Sequence, residues 1–527
     1  MTKYAIVADL NRCVGCQTCT SACKHANATA PGIQWRKVLD FETGEFPTVN
    51  RAFVPVGCMH CDTPSCMDVC PTTATRKRDD GIVTIDYDLC IGCAYCAVSC
   101  PYQARSRVDK PSVAYGGKAM KHEALREDPA RLGVAQKCTL CVERIDEGRA
   151  NGLVPGIDPA ATPACVTSCI AGALHMGDLD DPHSNVSQLL RQKRHFRMHE
   201  ELGNGPNIFY LYDGEIEDVA PAEAIPYVAE PVGLGAVSPR LQTNWDWRAA
   251  ANFVFGGAGT GLMATAALAA FLAPTLWLAV LLSLCLVGLG LSCIWFEIGR
   301  PWRFLNVFLN PWTSWMSREA MAALPFFGFG GLAWLSGSVT LLWLSAISGI
   351  IFLYCQARIL QAAKGIPAWR HPAVVPLVVS TGLTEGVGAF AVLWPLAGGT
   401  TEQGRMLAIV LVALVLARQR LWDSYRRRLE QDGAPTGVFT AFDGISGGLA
   451  LGPQAAVTVL GLLAVVAPAM QSFSLVTAGL GALLTGWIFK RGLITQAAFN
   501  QGFALTKMPA RGAGSSSTGI KPGWYKA

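Results

Sequence analysis

Sixteen cysteines between Cys13 and Cys169 fall into four runs, and their spacing constrains what this chain can fold around. Cys13, Cys16, Cys19 and Cys23 follow C-x2-C-x2-C-x3-C. Cys58, Cys61, Cys66 and Cys70 follow C-x2-C-x4-C-x3-C-P, and Cys90, Cys93, Cys96 and Cys100 follow C-x2-C-x2-C-x3-C-P. Cys138, Cys141, Cys165 and Cys169 spread the same idea out, with 23 residues between the two pairs. Three thiolates closely spaced on a tight loop reach three irons of one cubane. The fourth, further along and opening a helix, points to a neighbouring cluster. Isolated C-x2-C pairs often hold structural zinc, but triplets with a trailing fourth cysteine are the iron–sulfur pattern. No run lacks a cysteine, so four [4Fe–4S] clusters are expected, arranged as two ferredoxin-like two-cluster units. Strand-like stretches such as Ile82–Ile85 precede a cysteine loop, as in that fold.

Only 15% of the 527 residues are charged, and 51% are apolar. The imbalance is local. Residues 1 to about 245 are polar and cysteine-dense, and residues from about 249 to 495 form long apolar runs. The expected organisation is an iron–sulfur domain over 1–205, a linker over 206–245, a membrane anchor over 246–497 and a cytoplasmic tail over 498–527 ending in a flexible Gly/Ser-rich stretch. The fold class is an α+β tandem ferredoxin-like module followed by an all-α transmembrane bundle. The N-terminus shows neither an apolar signal core nor a twin-arginine pair, so a disulfide framework is not the reading for these cysteines. A net charge of +5 is too modest to suggest nucleic acid as a partner.

Apolar runs at roughly 250–272, 275–296, 319–337, 339–360, 373–397, 405–421, 452–470 and 473–490 predict about eight spans of a 30 Å hydrocarbon core. Basic residues gather in alternate loops: Arg300, Arg303 and Arg318; Arg358, Lys364 and Arg370; Arg418, Arg420, Arg426, Arg427 and Arg428. The opposite hairpins carry Arg405 alone. The positive-inside rule then puts the iron–sulfur domain on the cytoplasmic side of the inner membrane.

Electrons arriving at a membrane need an acceptor, and a lipid-soluble quinone, ubiquinone or menaquinone, meets that need. Bis-histidine haem is not expected, because His371 is the one histidine after residue 199. Quinone chemistry needs hydrogen-bond donors and a proton source. The loop around Glu297, Arg300 and Arg303, continuing to Ser317, Arg318 and Glu319, supplies both. Glu385, alone within an apolar span, is the other candidate, since an intramembrane carboxylate is costly and usually functional. An ion-translocating unit would need charges in several spans, and beyond Glu385 the runs show few.

The four-run pattern over 13–169 resembles the iron–sulfur subunits of molybdopterin oxidoreductases, the dimethyl sulfoxide reductase family. Residues 249–495 resemble that family's eight-helix anchor, with GRP-x-R at Gly299–Arg303 and NP-x-x-SW-x-SRE at Asn310–Glu319. The resemblance implies crossed ligation. Cys13, Cys16 and Cys19 would share a cluster with Cys169; Cys138, Cys141 and Cys165 with Cys23; Cys58, Cys61 and Cys66 with Cys100; and Cys90, Cys93 and Cys96 with Cys70. It also implies a separate molybdopterin catalytic subunit, this chain being the non-catalytic electron-transfer and anchor part. Two departures stand out: the two units are fused, and Glu297 stands where family anchors often carry histidine. A cytoplasmic iron–sulfur module looks more like the sulfite-oxidising, quinone-reducing branch, with a quinol-dependent dimethyl sulfoxide or similar reductase as the alternative.

Overall fold

In all four cysteine runs the residue before the second cysteine is left-handed: Gly15 (φ 71°), His60 (φ 43°), Gly92 (φ 72°) and Leu140 (φ 59°). That turn folds the loop back so that successive thiols face one point, and glycine takes it without steric cost. At Gly15 no other residue fits, because a Cβ would lie 2.6 Å from the Phe53 ring. A short helix then begins and carries the third cysteine: Cys19 in Thr18–Asn27, Cys66 in Ser65–Asp68, Cys96 in Tyr95–Ser99 and Cys165 in Ala164–Thr167.

The computed structural model describes residues 2–43, 49–114, 117–118, 120–121, 128–215, 237–271, 276–444, 448–509, 517–520 and 524. It divides into two units, Met1–Arg240 with Asn500–Lys526, and Leu241–Phe499.

The first unit is built on a four-stranded sheet in the order Leu174–Asp178, Tyr4–Asp9, Ile208–Glu215, Lys193–Phe196. Tyr4–Asp9 pairs parallel with Ile208–Glu215, and the other two pairings are antiparallel. All six residues of Tyr4–Asp9 are buried, as a central strand requires. Three hairpins lie beside the cysteine loops: Arg36–Thr43 with Asn50–Gly57, Thr75–Lys77 with Val83–Ile85, and Ser106–Arg107 with Ala135–Gln136. Val83–Ile85 is the strand read from the sequence.

Two expected boundaries move. Ile208–Glu215, placed in the linker, is a strand of the central sheet, because its Ile-Phe-Tyr-Leu stretch is buried on both faces. Of the linker, residues 216–236 lie outside the described residues. The tail also differs from the flexible segment expected. Phe503 and Leu505 are 1% and 0% exposed within the core of the first unit, and Trp524 donates its indole N–H to the Gln501 carbonyl at 2.8 Å. The Gly/Ser stretch itself, residues 510–516, lies outside the described residues.

In the second unit a helix stands at each of the eight apolar runs. Five are long and apolar enough to cross a membrane: Trp247–Ala269, Trp277–Glu297, Val339–Ala362, Val374–Leu396 and Pro468–Thr495. The count of eight spans is therefore not reached. Leu451–Val466 has only 16 residues, Thr401–Gln431 runs on into a charged segment, and Trp315–Ser336 is diluted by Pro325 and several glycines. Glycines four apart bring two of the spans into backbone contact. A Cβ on Gly261 would lie 2.2 Å from the Gly382 carbonyl oxygen, and one on Gly386 1.9 Å from the Gly261 backbone. Small residues at this spacing are how membrane helices approach closely.

Truncating Phe503 leaves a cavity in the first unit. The F503A chain should lose about 3–5 kcal/mol, read as a lower midpoint in thermal unfolding.

Candidate metal centres and buried charges

The structure brings the sixteen cysteines of the runs into four sets, and each set crosses between runs. One cavity is lined by Cys13, Cys16, Cys19 and Cys169; another is lined by Cys70, Cys90, Cys93 and Cys96. Each holds about 320 Å3 of empty space, part of it open to solvent. Cys23 lies among Cys138, Cys141 and Cys165, and the Asn27 amide reaches the sulfurs of both Cys23 (3.7 Å) and Cys141 (3.8 Å). Cys61 lies among Cys58, Cys66 and Cys100. Among the described residues no three Cys, His, Asp or Glu side chains converge as they would on a single metal ion. Four thiols around a larger space fit an iron–sulfur cubane.

Burial raises these thiols: Cys96 and Cys141 are pushed up to about 11, and Cys100 to about 12. Uncharged thiols bind no metal, so iron must displace their protons on entry.

The membrane-unit candidates separate into two places. At one, Glu297 accepts the backbone N–H of Asp246 (3.1 Å), at the start of the helix Trp247–Ala269. Glu319 is buried and accepts from the Asn252 amide (3.2 Å), while Gln356 donates to the Asn252 carbonyl (3.0 Å). Ser317 is fully buried beside them in sequence. Arg318 donates to the carbonyls of Pro311 (2.8 Å) and Trp312 (2.6 Å) and lies over the Trp315 ring, which Arg358 also covers. Arg300 and Arg303 are half-buried in the segment that follows Glu297. The second place holds Glu385.

Glu385 is not alone. Lys490 donates to it at 2.6 Å and to the Phe253 carbonyl at 3.0 Å, with both side chains fully buried. Arg418 is equally buried, on Gln454 (2.8 Å) and Thr485 (3.0 Å). Gly257 and Gly486 leave the room: a Cβ at either would strike Lys490 Nζ (2.0 Å) or Glu385 Oε1 (2.4 Å). Arg418, expected in a basic loop, therefore leaves the count of loop charges, and the expectation that Glu385 is nearly the only charge in the spans is overturned. Lys490 ends an apolar run in the sequence and reads as a flank. The pair of glycines four apart, Gly382 and Gly386, is the sequence signal that the Glu385 helix packs tightly on a neighbour.

Two family models match, "4Fe-4S dicluster domain" over residues 49–116 and "DMSO reductase anchor subunit" over residues 262–429. An iron–sulfur relative from the selenate reductase of Mesobacillus selenatarsenatis is 39% identical over 225 residues, 40% of this chain and 72% of the relative. Another, from the sulfite dehydrogenase of Allochromatium vinosum, is 36% identical over 227 residues, 40% of this chain and 83% of the relative. The chain belongs to the dimethyl sulfoxide reductase family. Within that family it joins an iron–sulfur subunit to a membrane anchor in one polypeptide. It is an electron-transfer subunit of an oxidoreductase complex, integral to the membrane, and not the catalytic chain.

A buried ion pair stripped of one partner leaves an uncompensated charge. E385Q or K490M alone should lower stability by about 3–5 kcal/mol, and the double variant should lose less than the two singles summed. Thermal unfolding in detergent measures the difference.

Proposed function

We propose that this chain carries electrons between a separate molybdopterin-containing catalytic subunit and membrane quinone, in the direction from sulfite to quinone. The observation that carries the reading is the sorting of sixteen thiols into four crossed sets of four. Four [4Fe–4S] clusters would be held by Cys13, Cys16, Cys19 and Cys169; by Cys23, Cys138, Cys141 and Cys165; by Cys58, Cys61, Cys66 and Cys100; and by Cys70, Cys90, Cys93 and Cys96. When bound, each cluster accepts and releases one electron.

Quinone reduction also consumes protons, and the chain's own residues must supply them. Glu319, buried and oriented by Asn252, is the proton donor in this reading; Glu297, Arg300, Arg303, Ser317 and Arg318 line the site around it. Glu385 and Lys490 hold a second proton-carrying position deeper in the helices. No haem intervenes, because His371 is the one histidine after residue 199.

Sulfite as donor rests on two supports. The remaining basic loop residues favour an iron–sulfur domain on the cytoplasmic side of the inner membrane, and one relative belongs to a sulfite dehydrogenase. The reverse direction, quinol to a sulfoxide or oxyanion, is the second reading, favoured by the 39% identity with the selenate reductase relative.

Inside-out vesicles should reduce quinone with sulfite, and right-side-out vesicles should not. Activity towards an external sulfoxide with quinol as donor would replace the first reading with the second. The purified chain should hold about sixteen irons, four in each of four clusters. E319Q should slow quinone reduction by about 10²–10⁴-fold while the clusters still accept electrons from dithionite.

A further inference from the structure

Three intervals separate the four thiol sets, and a buried hydrogen-bond donor side chain stands in each. Arg36 is 1% exposed, at the start of the strand Arg36–Thr43, and none of its three guanidinium nitrogens meets an oxygen or nitrogen acceptor. The groups acting on it are the sulfurs of Cys165, Cys138 and Cys23 from one set and Cys19 from another. Gly57, its partner across the hairpin, makes this approach feasible: a Cβ there would lie 2.7 Å from the Trp35 carbonyl oxygen and 3.6 Å from Arg36 Cζ.

His60 occupies the second interval. Val83 donates its backbone N–H to His60 Nδ1 (3.1 Å), so Nε2 is the ring N–H. That N–H finds no oxygen or nitrogen acceptor, and the sulfurs facing the ring are Cys58 of one set and Cys138 of the next. Lys137, 1% exposed, shares the interval. It donates to the Val83 carbonyl and to that of Cys138 (2.8 Å), and its charge reaches Cys58 and Cys66. Arg105 fills the third interval. It donates to Cys66 Sγ (3.0 Å) and to the Thr75 hydroxyl (3.0 Å), and it also faces Cys96 of the remaining set.

Buried cations persist when a counter-charge satisfies them. Among the described residues no carboxylate pairs with Arg36, Lys137 or Arg105, and the anionic groups within reach are the thiolates of the sets they separate. We propose that Arg36, His60 with Lys137, and Arg105 are positioning residues shared by successive cluster sites. Through them the four sites form one linear series: the Cys13 set, the Cys138 set, the Cys58 set and the Cys90 set. Each residue favours the reduced state of both of its neighbours, since a fixed positive charge or N–H donor lowers the cost of an added electron. This deepens the electron-transfer reading above and rests on it.

The test is an EPR-monitored redox titration of the full complex in membranes, with iron content measured in parallel and signals assigned by one Cys→Ser change in each set. R36Q should lower the midpoint potentials of the Cys13 and Cys138 sites. H60F should lower those of the Cys138 and Cys58 sites, and R105Q those of the Cys58 and Cys90 sites. Each shift should be at least a tenfold change in the oxidised-to-reduced ratio at fixed potential, about 59 mV for a one-electron couple. R36K and R105K, which keep the charge, should recover most of the shift. Iron-replete variants with all four potentials unchanged, or with shifts at sites that do not flank the altered residue, would overturn the proposal. Fewer than four cluster signals in the unaltered complex would instead defeat the four-cluster reading, before any variant is compared.

Discussion

The fourth thiol of each run cannot reach the loop it belongs to, and most of the iron–sulfur unit is a consequence. It must enter a cavity formed by another run. Cys169 closes the Cys13 cavity, and Cys70 the Cys90 cavity, across chain separations that no local structure could bridge. The central sheet answers this need. Tyr4–Asp9 lies between Leu174–Asp178 and Ile208–Glu215, so the first and last runs are held to the same frame. The left-handed residue before each second cysteine does the rest, turning the loop so that its thiols face inward.

Gathering sixteen acidic sulfurs in one interior creates an electrostatic demand, and Arg36, Lys137 and Arg105 meet it from within. The helical unit shows the same physics in an apolar setting. Glu385, Lys490 and Arg418 lie buried among helices, tolerated because each finds a partner and because glycines clear the space around the Glu385–Lys490 pair. In both units backbone room, not side-chain chemistry alone, decides where a charge can be kept.

The fusion of the two units has a structural counterpart. The chain leaves the first unit before residue 241 and returns to it at Asn500, so the helical unit is an insertion in the fold of the first rather than an appendage to its end. Phe503 and Leu505 enter the core that Tyr4, Ile6 and Ile208 also build. Deleting residues 498–527 would therefore remove core, not a tail.

Periodic and spaced signals were legible in the sequence. The cysteine runs reveal the iron–sulfur chemistry because ligand spacing is a local property, and the apolar runs reveal the helices because burial in lipid needs an uninterrupted stretch. Span counts were less secure, since length and composition of a run do not say whether Leu451–Val466 crosses. The pairing of Lys490 and Arg418 with their partners, the entry of Phe503 and Leu505 into the core and the place of Arg36 between two thiol sets were decided only by the tertiary structure. Each depends on side chains far apart in the chain meeting in three dimensions, and a buried charge looks like any other charge until its neighbours are known.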